Sequence, residues 1–152
     1  MTDSNLGKLS KWLRILGYDT AGYAGKADRD FLRAAQKEGR VVLTRKRDMA
    51  KRQFSGQLVV VQHDRVWEQL NEVIDKLSIV PDPDRFFSIC LTCNEKLKDV
   101  SSEDLSGMVP DYIFRRHKEF HRCPRCGGIF WPGTHRDNVN GYLRTRIRRC
   151  PP

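Results

Sequence analysis

Apolar positions recur at helical spacing at the start of the chain. Leu6, Leu9, Leu13 and Leu16 share one face, and Trp12 and Ile15 widen the stripe. Gly17 follows as a stop, so the pattern predicts a first helix over about 5–16. Tyr18 to Tyr23 is short and apolar enough for a strand. Asp28 is placed to cap a second helix over Arg29–Glu38, with Phe31, Leu32, Ala34 and Ala35 on its buried side and Gly39 at its end. Arg40–Thr44 is a β-branched strand, and Leu58–Gln62 is another of nearly continuous apolar character, as suits a parallel strand buried on both faces. Val66, Leu70, Val73, Ile74 and Leu77 mark a third helix over about 65–78.

Helices and strands thus alternate through residue 80, which predicts a small α/β domain around a mostly parallel sheet. Pro81-Asp-Pro-Asp84 reads as a boundary. Beyond it the pattern is sparser: a helix near Pro110–Phe120 and a short strand over Gly128–Trp131. The expected organisation is an α/β domain over 1–80, a metal-dependent mini-module over 86–135 and a basic tail over 136–152. No internal repeat or low-complexity tract interrupts it.

The mini-module is defined by two C-x-x-C knuckles, Cys90-Leu-Thr-Cys93 and Cys123-Pro-Arg-Cys126. The 29 residues between the pairs allow both to converge on one ion, and four thiolates suit a tetrahedral structural zinc. Small residues after the second knuckle, Gly127 and Gly128, let backbone amides approach the anionic sulfurs. Disulfides or a redox dithiol are the alternatives. A site closed by four sulfurs leaves no open position for catalysis, so chemistry must lie elsewhere.

Composition narrows the setting. No apolar run approaches the ~18 residues of a transmembrane helix, and the start of the chain lacks a signal-peptide pattern. Five cysteines, four of them in metal spacing, fit a reducing compartment, and the expected localisation is cytoplasmic. The net charge of +9, from 28 Lys and Arg against 19 Asp and Glu, points to a polyanionic partner, with nucleic acid leading the list. The bland reading of that charge is solubility. Candidate phosphate contacts are Lys8, Lys11 and Arg14, then Arg45, Lys46 and Arg47, and a tail carrying Arg144, Arg146, Arg148 and Arg149 around Tyr142.

In an open parallel sheet the site forms where loops leave the carboxyl ends of the strands. Asp3, Asp28, Asp30 and Asp48 fall at such places. Carboxylates from separate loops repel one another unless a divalent cation joins them, and Mg²⁺ or Mn²⁺ with substrate phosphate is the natural choice. Thr44 is placed to orient a metal-bound water or a neighbouring carboxylate. Each acid also has an ordinary reading. Asp28 and Asp30 suit a helix start, Asp48 suits a pair with Lys51 or Arg52, and Asp3 suits a cap or a frayed end.

The stretch from Asp3 to Asp19, DSNLGKLSKWLRILGYD, closely resembles the opening motif of the Mut-seven C-terminal RNase family. Ala27-Asp28-Arg-Asp30-Phe-Leu, Gly39-Arg-Val-Val-Leu-Thr-Arg45 and the knuckles with Phe130-Trp131-Pro-Gly-Thr-His135 extend the resemblance over nearly the whole chain. It implies a PIN-like, Rossmannoid three-layer domain followed by a four-cysteine zinc ribbon, and a metal-dependent ribonuclease activity. Asp3 and Asp28 are then the carried-over acids, with Asp30 and Asp48 in support. Two departures stand out. The family motif Thr-Arg-Asp reads Thr44-Arg45-Lys46 here, which removes a candidate ligand and brings in an ammonium. Only Met1 and Thr2 precede Asp3, so the first strand is expected to be curtailed or to lack upstream residues.

Of the remaining residues, His135 beside Arg136 is a candidate for phosphate or base contact, and Phe130 and Trp131 are candidates either for stacking on bases or for packing the ribbon. His117 and His121 compete weakly with the cysteines for the zinc. Cys150 is left over near the end. The favoured function is endoribonucleolysis of RNA with unpaired regions. The rivals are an inactive RNA-binding module, and a protein-interaction ribbon within a larger RNA-processing assembly.

Overall fold

The computed structural model describes residues 1–105 and 107–147. A 3-10 turn over Ser4–Leu6 leads into α1 (Gly7–Ile15), whose Leu9, Leu13 and Ile15 are buried. Gly17 ends it at φ +81°, and a Cβ there would collide with the carbonyl oxygen of Arg85. Only glycine fits both the backbone and the space. In α2 (Arg29–Lys37), Phe31, Leu32 and Ala35 are buried, and Asp28 caps the start by accepting from the N–H groups of Asp30 and Phe31.

β1 (Val42–Thr44) and β2 (Leu58–Val60) pair in parallel, and α3 (Val66–Lys76) follows. Thr2 bridges Gly22 on one side and Leu43 on the other, both in parallel, so the short start of the chain lies between two neighbours of the sheet. The sheet separates two apolar clusters. Val42 packs with Met1, Met49 and the buried side of α2, whereas Leu43 and Val59 pack with α1 and α3.

Several elements are shorter than their patterns predict. The strand expected over Tyr18–Tyr23 is a single bridge at Gly22. Thr20 gives its carbonyl to the Arg14 guanidinium and its N–H to the Asn94 side chain, which takes it out of any ladder. β2 stops at Val60 rather than Gln62, because the N–H groups of Gln62 and His63 turn to the Glu72 carboxylate.

Beyond a turn over Pro83–Arg85 lie β3 (Lys98–Val100), α4 (Asp111–Arg116), β4 (Phe120–Arg122) and β5 (Ile129–Phe130). The strands form an antiparallel sheet in the order β3-β4-β5 over a small core of Leu105, Val109, Ile113 and Phe120. The helix expected through Phe120 ends at Arg116, since Phe120 pairs with Val100 across the sheet.

The segment expected to be a basic tail is a helix as far as Arg146, α5 (Thr134–Arg146). Val139, Leu143 and Ile147 are buried in the same cluster as α1 and α3. Tyr142 stacks on Trp67 at 5.9 Å, and Trp67 lies against Trp12 at 4.2 Å. Arg148, Arg149 and Cys150 lie outside the described residues, as does the side chain of His135. Among the described residues, no helix is long and apolar enough to cross a membrane.

Candidate active site and metal centre

The C-terminal edge of the parallel strands gathers around Asp3, which is 2% exposed. Its Oδ2 accepts the Thr44 hydroxyl at 2.6 Å and the Arg45 N–H at 2.9 Å, and its Oδ1 accepts the Asn5 N–H at 2.9 Å. A carboxylate offers about four lone-pair positions, so three donors leave one on Oδ1. Thr44 is fully buried, and its oxygen also accepts the Lys46 N–H at 3.0 Å. The turn after β1 is therefore folded around the Asp3 carboxylate.

The same turn reaches towards Asp28. The Lys46 ammonium donates to the carbonyl of Ala27 at 3.1 Å, one residue before the cap, and stands 3.8 Å from Asp48. Asp28 is half-buried, and its Oδ1 carries the cap. Asp30 is exposed and pairs with Arg33. Asp48 is exposed and pairs with Arg52. The Lys46 turn thus links buried Asp3 to the loop before Asp28, with Asp48 beside the Lys46 ammonium, whereas Asp30 is tied to Arg33 in solvent. Among the described residues, these acids do not form a group of three or more ligand atoms close enough to share an ion.

Two acids that the sequence pattern did not single out shape the same edge. Asp64, after β2, takes the Arg45 guanidinium. Glu72 is buried on α3; burial pushes its carboxyl up, but hydrogen bonds from Lys76, His63 and the N–H groups of Gln62 and His63 bring it down to about 2. The available signal is an acid set between Leu70 and Val73 on the buried face of the helix.

The four cysteines do come together. Cys90, Cys93, Cys123 and Cys126 offer sulfurs that all lie within 4.8 Å of one another, and this set is able to hold a metal such as zinc. The two knuckles share a geometry. Asn94 and Gly127, each following the second cysteine of its pair, adopt positive φ (62° and 71°) and return their N–H to the carbonyl of the first cysteine. Burial pushes the Cys90 and Cys93 thiols up; at Cys123 burial acts the same way, but the N–H groups of Cys126 and Arg125 draw the thiol down. His121 pairs instead with Asp99 and, among the described residues, belongs to no such cluster.

The candidate phosphate contacts divide. Lys8, Lys11, Lys46 and Arg47 are exposed. Arg14 is buried at 8% exposure, and its guanidinium serves the carbonyls of Thr20, Leu91 and Thr92, out of reach of any phosphate. Its position between apolar Leu13 and Ile15 hid this role behind a local run of positive charge. Arg136 lies over the Phe87 ring at 5.3 Å. A family model described as Mut7-C RNAse domain matches residues 1–143. No curated protein and no solved structure matches the chain.

Proposed function

The chain belongs to the Mut7-C RNAse domain family, and from that premise we propose a metal-dependent endoribonuclease with a PIN-like three-layer domain over about 1–80 and a zinc ribbon over about 86–135. The observation that carries this reading is the turn after β1. It encloses buried Asp3 and, through Lys46, holds the loop that leads into Asp28. Acids from separate loops at the carboxyl edge of parallel strands are where an α/β sheet places its chemistry.

Asp3 and Asp28 would hold Mg²⁺ or Mn²⁺, with Asp48 and Asp30 on the solvent side. The open lone pair on Asp3 Oδ1 and the uncommitted Oδ2 of Asp28 suit a site whose remaining positions go to water and substrate phosphate. When bound, such an ion supplies an activated water and stabilisation of the leaving oxygen. The protein's own groups do the rest. Thr44 and the Arg45 N–H fix the Asp3 carboxylate in one orientation. The Lys46 ammonium faces the same edge and takes a phosphate oxygen of the substrate. Lys8, Lys11 and Arg47 grip the RNA backbone, so affinity falls as salt rises. Four reduced cysteines fit a cytoplasmic setting.

The test is cleavage of end-labelled single-stranded RNA with and without added Mn²⁺, for the natural chain and for Asp28→Asn. Asparagine caps a helix about as well as aspartate, so this substitution removes the charge and keeps the cap. Cutting that depends on the cation and is lost in Asp28→Asn supports the proposal. Intact RNA in every lane, with retained RNA binding, overturns it in favour of the binding module, a reading that the Lys46 ammonium at this edge would favour.

A further inference from the structure

At the far end of α1 from Asp3, a groove of about 880 Å³ opens between the main core and the ribbon. Four aromatic rings line it: Phe86 and Phe87 after the Pro83–Arg85 turn, and Phe130 and Trp131 at the end of β5. We propose that this groove is a binding subsite for an unpaired RNA base, remote from the cleavage edge. The proposal rests on the reading of RNA as substrate, and it assigns a role to the ribbon that neither the acids nor the zinc supplies.

Phe87 forms one wall of the groove. It sits at φ +60°, a left-handed conformation that bulky side chains rarely adopt, and its N–H is fixed on the Ile15 carbonyl at 2.8 Å. A tight turn alone would be served better by glycine or asparagine. Here a strained backbone holds a half-buried ring at the groove wall, with the Arg136 guanidinium 5.3 Å above its centre. Aromatic rings and arginine planes are each surfaces on which a planar base stacks.

The rings are supported from behind. Phe87 packs on the main core and Trp131 on the ribbon core, so the groove is lined by rings from two separately packed bodies. His121, oriented by its 2.8 Å contact with Asp99, adds a polar group suited to a base edge. Charge on the rim is mixed: Lys96, Lys98 and Arg136 stand against Asp84, Asp99 and Glu119. Stacking rather than phosphate attraction therefore dominates here, and occupancy of this subsite responds less to salt than the basic surface does. A chain of net charge +9 brings the polyanion to the surface, and the groove selects its unpaired part. α1, with nine residues, sets the separation from the Asp3 edge at about 13 Å along its axis.

The experiment measures equilibrium binding of the full zinc-loaded chain, without Mg²⁺ or Mn²⁺, to two labelled single strands of equal length and charge. One is oligoadenylate and the other is an abasic strand. The expected result is at least a roughly tenfold preference for the strand with bases. Phe87→Asn, which suits the left-handed backbone, and Trp131→Leu should each reduce that preference towards unity while leaving affinity for the abasic strand unchanged. Equal binding of the two strands by the natural chain, or a preference that survives in both variants, overturns the proposal. Because no cleavage is involved, failure of the nuclease reading at Asp28 and failure of this subsite are read separately.

Discussion

Thr44 is fully buried and donates to Asp3 at 2.6 Å while accepting the Lys46 N–H, so one hydroxyl joins the acid to the turn that surrounds it. Replacing it with valine keeps the shape and removes both bonds. Hydrogen bonds to charged groups contribute about 1.5–3 kcal/mol, and a buried carboxylate left one donor short bears most of that cost. Thr44→Val is expected to lower the stability of the chain by about 2–3 kcal/mol, with Thr44→Ser recovering most of the loss. Urea unfolding of the three proteins measures it directly. A valine variant within about 0.5 kcal/mol of the natural chain would show that Arg45 and Asn5 hold Asp3 without the hydroxyl.

At the scale of elements, the chain announces some of its structure and conceals the rest. The stripe of Leu6, Leu9, Leu13 and Leu16, the cap at Asp28 and the apolar runs of β1 and β2 are local signals, and α1, α2 and the parallel pair follow from them. The two knuckles are equally local, since C-x-x-C spacing alone aims two sulfurs at one centre. The missed features depend on partners distant in sequence. Arg14 looks like a surface cation until Leu91 and Thr92, more than seventy residues on, supply the carbonyls that bury it. Helix α5 is masked by its own arginines; its buried Val139 and Leu143, and Ile147 just past its end, lie four apart, a helical period too sparse to stand out in so basic a segment. That helix is part of the core, and a test follows. Leu143 is fully buried, so Leu143→Ala should cost about 2–5 kcal/mol, as for any core leucine. A solvated tail would tolerate the same change with no shift in the thermal midpoint.

Across the whole molecule, a chain of hydrogen bonds runs from the cysteine centre to the Asp3 edge. Asn94, in the first knuckle, donates its N–H to the carbonyl of Cys90 and accepts the N–H of Thr20 at 2.7 Å. Arg14 ties the carbonyl of Thr20 to those of Leu91 and Thr92. The next residue, Ala21, accepts the N–H of Thr2 at 2.9 Å, and Thr2 in turn accepts that of Tyr23. Asp3 follows directly, its N–H on the Leu43 carbonyl. Metal binding to such a ribbon is coupled to its folding, because four thiols without an ion neither attract nor order one another. Removing the metal should therefore free the knuckle, release Thr20 from Asn94 and loosen Thr2 against Ala21. Hydrogen exchange before and after chelation reads each step. Protection at Cys90, Asn94 and Thr20 is expected to fall first, and Thr2 and Tyr23 to follow, whereas Val42, held by Gln57 on the other side of the sheet, keeps its protection. Loss confined to the knuckle, with Thr2 unchanged, would mean that the ribbon and the acidic edge are energetically separate. The expected spread would make metal loss at the cysteines a way of disordering the edge that holds Asp3.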